Sequence, residues 1–377
     1  MPDNEFDAIR PYFGDEIPAA LDRIVSHPDF QHLLNYLFPP EKHQEIINGL
    51  KKFSTIENFQ HQVMRAIINS IIEKTAVSLT FSGIENISKE KGYIFLANHR
   101  DILLDSAILN LILVNNDFNT CEITWGDNLI ISQFVEDIGK SNKMITVFRN
   151  GSPKEMLQNS QLLSKYIRRS VTQKNQSVWI AQRKGRSKNG TDTTDMSVLK
   201  MFILSRENSI IESLKDLNIT PVTISYEWEP CDSLKVRELY ISETQEYVKE
   251  ENEDLQSIIG GVVSEKGRIH LHIGNQINDE LDKLDTDMRV NQLMQQVAFV
   301  VDRHVHADYR LWSSNYLAYD MLTGGARFAK NYDDKTREKL NERLEKTIDL
   351  IDGDRVKITD LFLRLYANPV FNQLEIK

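Results

Sequence analysis

The chain has 377 residues, 41% hydrophobic and 27% charged, with a formal net charge of −10 from 45 basic and 55 acidic side chains. That balance excludes wholesale disorder, collagen-like repeats and disulfide scaffolds, and it disfavours a whole-surface nucleic-acid binder, so no nucleic acid is expected as a partner. At roughly 150 residues per domain the length allows about two domains, or one large domain with accessory parts.

The two cysteines, Cys121 and Cys231, form neither a C-x-x-C pair nor a disulfide framework, which suits a reducing cytoplasm. No run reaches the roughly 18 apolar residues of a membrane span. The nearest, residues 102–114, is broken by Asp105, Ser106 and Asn110. Residues 1–10 are acidic and polar, unlike a signal peptide.

In chain order, residues 17–26, 30–38 and 59–72 carry apolar residues at helical spacing, and Pro39-Pro40 ends the second run. Val63, Ile67, Ile68, Ile71 and Ile72 form one stripe, which either packs on the main domain or faces a membrane. From residue 77 the rhythm changes. Strands are expected over 77–81, 93–97, 144–148, 177–181, 219–226 and 268–273, and helices over 105–114, 154–173, 194–205 and 207–216. Residues 246–255 are charged and read as a surface connection, and helices return over 286–304, 316–322 and 336–351.

The expected fold class is therefore α/β: a mixed, largely parallel sheet flanked by helices, with helical N-terminal and C-terminal extensions. The expected regions are a helical stretch 1–75, an α/β core 76–278 and a helical tail 279–377.

The most informative stretch is Tyr93-Ile94-Phe95-Leu96-Ala97-Asn98-His99-Arg100-Asp101-Ile102-Leu103-Leu104-Asp105. An apolar strand ends at Ala97, polar residues follow, and a helix begins. Ligands of open α/β sheets collect at the carboxyl ends of strands. A histidine there serves as a general base, and a carboxylate one turn into the helix fixes its tautomer and supports the imidazolium. No protein nucleophile accompanies the pair, which suits a substrate hydroxyl as nucleophile. Asp105 is the preferred partner of His99, with Asp101 as the rival. The plainer alternative has the aspartates favouring only the helix N-terminus.

Asn98-His99-Arg100 through Asp105 resembles motif I of the glycerolipid acyltransferase superfamily, which includes 1-acylglycerol-3-phosphate acyltransferases. Ile145-Thr146-Val147-Phe148-Arg149 resembles motif II. Ile180-Ala181-Gln182-Arg183-Lys184-Gly185-Arg186-Ser187 resembles motif III, and Thr220-Pro221-Val222-Thr223-Ile224 resembles motif IV. The four segments follow the family's order across about a third of the chain, and the whole chain looks similar to a soluble-looking bacterial branch. Two departures stand out. The family's His-x4-Asp is His-x5-Asp here, and Lys184 takes the place of the motif III glutamate.

The resemblance implies an O-acyltransferase with His99 and Asp105 as the catalytic pair. Asn98, Arg100, Arg149, Arg183, Lys184, Gly185 and Arg186 are the expected substrate-binding set. The implied donor is acyl-CoA or acyl-carrier protein, and the implied acceptor is a phosphorylated or otherwise anionic polar lipid. No metal or other cofactor is implied. Arginine offers phosphate bidentate hydrogen bonds together with charge, and Gly185 admits close backbone approach.

Lipid substrates imply cytoplasmic protein peripherally associated with the inner face of the membrane. Contact is expected through the stripe within 63–72, the aromatic segment around Trp312 or the basic loop 183–188. Two other function classes are kept. Lys184 and the shifted Asp105 motivate a non-catalytic lipid-binding or scaffold protein. His270-x-His272, with His304-x-His306 and Asp302 or Asp308, motivates a metal-dependent hydrolase, ranked last because the strand pattern also fits half-buried polar residues.

Overall fold

The computed structural model describes residues 4–250 and 253–376. Positions 1–3 of the expected N-terminal helical stretch, 251–252 of the expected surface connection and 377 of the helical tail lie outside the described residues. Seven strands form one sheet: β1 (Ala76–Ser82), β2 (Ile94–Ala97), β3 (Glu122–Gly126), β4 (Met144–Val147), β5 (Val178–Ala181), β6 (Ile219–Tyr226) and β7 (Gly267–Ile273). Their order is β1-β7-β6-β2-β5-β3-β4. Every neighbouring pair is parallel except β6 and β7.

The central strands are apolar on both sides because helices cover both faces. All of β2 and all of β6 are buried. Ile94, Leu96, Ile145, Ile180 and Ile219 pack on one face against Leu163, Ile167, Leu199, Val297 and Val301. Phe95, Ala97, Ile123, Trp179, Val222 and Ile224 pack on the other against Leu104, Ile108, Leu109 and Ile112. The fold is thus α/β with a mostly parallel mixed sheet and helical extensions at both ends.

Two smaller cores complete the molecule. Ile17, Leu21, Ile24, Phe30 and Leu34 join Phe53, Phe59 and Val63 near the N-terminus. The helices Asp232–Ser242, Ser313–Thr323, Asp334–Leu350 and Arg355–Ile376 share a core around Val236, Leu317, Leu340, Phe362 and Tyr366.

Several expectations need correction. The Val63–Ile72 stripe is not a membrane face: Val63, Ile68 and Ile71 are buried, and Ile67 and Ile72 pack against the core. Trp312 and Tyr309 are buried as well, so that aromatic segment is packing. The segment read as a surface connection runs into a helix, Glu253–Val263. The strand β3 and the helices Gln133–Lys140 and Asp232–Ser242 had no counterpart in the sequence reading, whereas Pro40–Leu50 and Arg355–Ile376 fall inside the helical stretches expected at the two ends.

Candidate functional site

The β2 strand runs out at Ala97, and the chain turns through Asn98–Leu103 into the helix Leu104–Asn115. Asp105 lies in the first turn of that helix and is buried. Its Oδ2 accepts hydrogen bonds from His99 Nδ1 at 2.9 Å, from the Arg100 amide at 2.5 Å and from the Asp101 amide at 2.9 Å. Its Oδ1 accepts one from the Tyr226 hydroxyl at 2.8 Å. The two backbone donors show how the extra residue of His-x5-Asp is absorbed: the turn curls its amides around the carboxylate, and His99 still reaches it. With Nδ1–H donated to Asp105, Nε2 is left as the basic nitrogen.

The rival partner is placed differently. Asp101 Oδ1 accepts from the Leu103 and Leu104 amides at 2.9 and 2.8 Å, capping the start of the helix. Its Oδ2 is buried and, among the described residues, has no hydrogen-bond partner. Burial pushes the Asp101 carboxyl up, and the Asp105 charge adds to this while Arg186 opposes it.

His99 borders a cleft of about 460 Å³. The imidazole meets Trp179 edge-on, with ring centroids 5.4 Å apart. Ile123, Trp125, Met144, Leu163 and Met201 line the cleft's apolar wall, and Leu255 and Ile258 of the Glu253–Val263 helix line it too. Arg149, Arg183, Lys184 and Gly185 border the same cleft.

Arg149 follows β4, its amide donating to Asp127 Oδ1 at 3.2 Å. The guanidinium lies against Gly126, where an added Cβ would come within 2.4 Å of Nε. Burial pulls the Arg149 pKa below its ordinary value, with Asp254 and Asp127 pulling the other way. An arginine stays protonated regardless, so this is a largely desolvated cation at the cleft wall. Gly185 has φ of 74°, a left-handed conformation that favours glycine, and open space where a Cβ would project.

Three expected substrate-binding residues do not border the cleft. Asn98 is buried, donating to Asp192 and the Ile224 carbonyl and accepting from the Ile224 amide. Arg100 is fully buried, paired with Asp192 at 2.5 Å and with Glu229 at 3.1 Å. Lys235 joins this cluster through Glu229 and the Arg100 carbonyl. Arg186 turns away to Ser257, whose Oγ it meets at 3.0 Å. Asn98, Arg100 and Lys235 fasten the turn from behind through these partners, whereas Arg186 keeps Nη1 buried without a hydrogen-bond partner among the described residues.

The histidine pairs are held by hydrogen bonds of their own. His270 meets Thr80 and Ser82, and His272 meets Ser82. His304 meets Glu280, and His306 meets the Thr191 carbonyl. Among the described residues no group of three or more His, Cys, Asp or Glu side chains is arranged to hold a metal ion.

Three features of the site were missed from sequence: Tyr226 on Asp105, Trp125 in the cleft wall, and the Glu253–Val263 helix across it. Tyr226 was read as the end of a strand, and nothing in its sequence neighbours signals a partner 121 residues away.

Comparison with known proteins adds to this geometry. No curated protein matches the chain. Among solved structures the chain is similar to the 1-acyl-sn-glycerophosphate (LPA) acyltransferase PlsC from Thermotoga maritima. The identity is 13%, covering 77% of this chain and 93% of that one, with a TM-score of 0.38. Residues 78–225 match the family model described as Acyltransferase, a stretch that holds the His99 turn, the cleft-lining arginines and most of the sheet. The chain therefore carries a generic acyltransferase domain.

Proposed function

We propose that this protein moves a fatty acyl group from acyl-CoA or acyl-carrier protein to a hydroxyl of a glycerophosphate-type or related polar lipid. His99 Nε2 takes the proton of the acceptor hydroxyl as its oxygen attacks the thioester carbonyl. A C–O bond forms and the C–S bond breaks. The thiolate then leaves with the proton returned from the imidazolium. Asp105 holds His99 in the right tautomer and stabilises the imidazolium. The apolar wall receives the acyl chain, and Arg149 with Arg183 receives the acceptor's phosphate.

The observation that carries this reading is the His99 Nδ1 to Asp105 Oδ2 hydrogen bond of 2.9 Å at the edge of an apolar cleft. General-base help of this kind is worth about 10²–10⁴ in rate. Lys184 in the place of the family's glutamate favours a second reading, a lipid-binding protein without turnover. The two part on thiol release from acyl-CoA in the presence of an acceptor, which the second reading forbids.

Arg149→Ala tests the phosphate role in steady state. A hydrogen-bonded charge contact is worth about 1.5–3 kcal/mol, so the acceptor KM should rise about tenfold or more with donor KM unchanged. An unchanged acceptor KM removes Arg149 from the binding scheme.

We also propose that the lipid surface is met at the mouth of the cleft. Exposed Ile131, Leu157, Met196, Leu255 and Ile259 flank its lining residues, beside exposed Lys184. Apolar side chains next to cations suit a bilayer interface carrying anionic lipid.

A further inference from the structure

We infer that Tyr226 is a positioning residue for the His99–Asp105 pair, holding the carboxylate so that its other oxygen stays on the imidazole. The inference rests on the proposed acyl transfer for its kinetic consequence, but its geometry stands apart from any substrate. Tyr226 closes β6, and its ring is buried in the core with Phe95, Ala97 and Leu104. Its hydroxyl donates to Asp105 Oδ1 at 2.8 Å.

The two carboxylate oxygens do different jobs. Oδ2 carries His99 and the two turn amides. Oδ1 has Tyr226 as its donor among the described residues. Asp105 is 2% exposed, so water does not replace a lost donor easily. Burial, with the Asp105 charge beside it, pushes the Tyr226 phenol well above its ordinary value. The hydroxyl therefore stays protonated and points its hydrogen at the carboxylate.

The strand matters to this role. β6 pairs with β2, and Phe95, Leu96 and Ala97 stand opposite Thr220, Pro221 and Val222. The phenol thus comes from a neighbouring strand, not from the turn that carries His99. The amides of Arg100 and Asp101 belong to that turn and move with it. Tyr226 is the anchor that ties Asp105 to the sheet. In a chain with one residue more than usual between His99 and Asp105, such an anchor fixes which way the carboxylate faces.

The test is Tyr226→Phe, which keeps the ring and removes the hydroxyl, with Tyr226→Met as a second variant lacking it. In steady state with acyl-CoA and 1-acylglycerol 3-phosphate, kcat should fall about tenfold in both while both KM values stay within about twofold. The second readout needs no turnover: the downfield proton resonance of His99 Nδ1–H, assigned by its loss in His99→Ala. It should shift and broaden in Tyr226→Phe. An unchanged resonance overturns the inference, and so does a kcat within about twofold of wild type. A wild-type protein without acyl transfer would sink the proposed function, and the resonance would then decide Tyr226 by itself.

Discussion

Arg100 was read from sequence as a substrate contact, and the structure buries it in an ion cluster off the cleft. Its guanidinium sits between Asp192 and Glu229, each side chain nearly or fully buried. Removing one member of a buried ion cluster leaves uncompensated charge and costs about 3–5 kcal/mol. Arg100→Met is therefore expected to lower the unfolding free energy from urea titration by an amount in that range, whereas a substrate contact would instead raise KM at unchanged stability. Asn98 and Arg186 also lie off the cleft, because a polar residue in a motif does not by itself say which side of the turn it faces. His99 and Asp105 were legible because spacing and strand position constrain them, although the choice over Asp101 needed the observed capping of Leu103 and Leu104. His270 offers a separate test. Burial, then Arg310 and His272, hold it down to about 4 from 6.5. The unfolded chain regains the ordinary value and so binds more protons between these limits. Its contribution to stability is complete above pH 6.5 and is lost as pH falls toward about 4. In urea unfolding at about pH 5 and about pH 7.5, the difference between the two should be smaller in His270→Gln than in wild type.

Elements were legible where their pattern was simple. The apolar runs of β2, β5 and β6 and the alternation of β7 stand out in the sequence, because burial on both faces or on one writes itself into side-chain period. The β3 strand did not, since it opens on Glu122, a charged residue buried against the hydroxyls of Tyr166 and Ser170. The Glu253–Val263 helix was hidden by its acidic start, read with 246–255 as a surface connection, and by Gly260-Gly261, which weaken a helical pattern. Gly261 is what lets the helix lie on the site. An added Cβ at Gly261 would come within 2.2 Å of Asp101 Oδ2, but at Gly260 its nearest neighbour is Cys231 Sγ at 3.3 Å. Alanine gains about 1 kcal/mol of helix propensity at either position. Gly260→Ala should therefore be near neutral, whereas overpacking at Gly261→Ala should cost about 1–3 kcal/mol and disturb the His99 turn. Paired thermal melts with kcat measurements check this, and equal behaviour of the two variants would remove the close packing from the explanation.

For the whole molecule, a net charge of −10 and the lack of any helix long and apolar enough to cross a membrane, among the described residues, limit how lipid is met. General adhesion to anionic bilayers is opposed by charge, so the proposed contact belongs to a local patch. Periodicity left the 63–72 stripe open between core and membrane, because a helical stripe looks the same facing either, and burial settles it as core. The proposed contact residues Ile131, Leu157 and Ile259 are exposed and lie on three separate segments, next in the chain or nearly so to the cleft-lining Leu129, Met156 and Ile258. A Leu157→Asp, Ile259→Asp double variant should partition onto anionic phospholipid vesicles at least about tenfold more weakly than wild type, since each buried aliphatic side chain contributes about 1.5–3 kcal/mol. The central claim is the acyl transfer itself, and mass spectrometry of the lipid product tests it most directly. Purified protein would be given acyl-CoA or an acyl-carrier-protein thioester with a panel of lysophospholipid and other polar-lipid acceptors. The expected result is a phosphate-bearing lipid heavier by one acyl group, its yield cut about 10²–10⁴-fold in His99→Ala. No acylated lipid from any donor and acceptor, or an undiminished yield from His99→Ala, would contradict it.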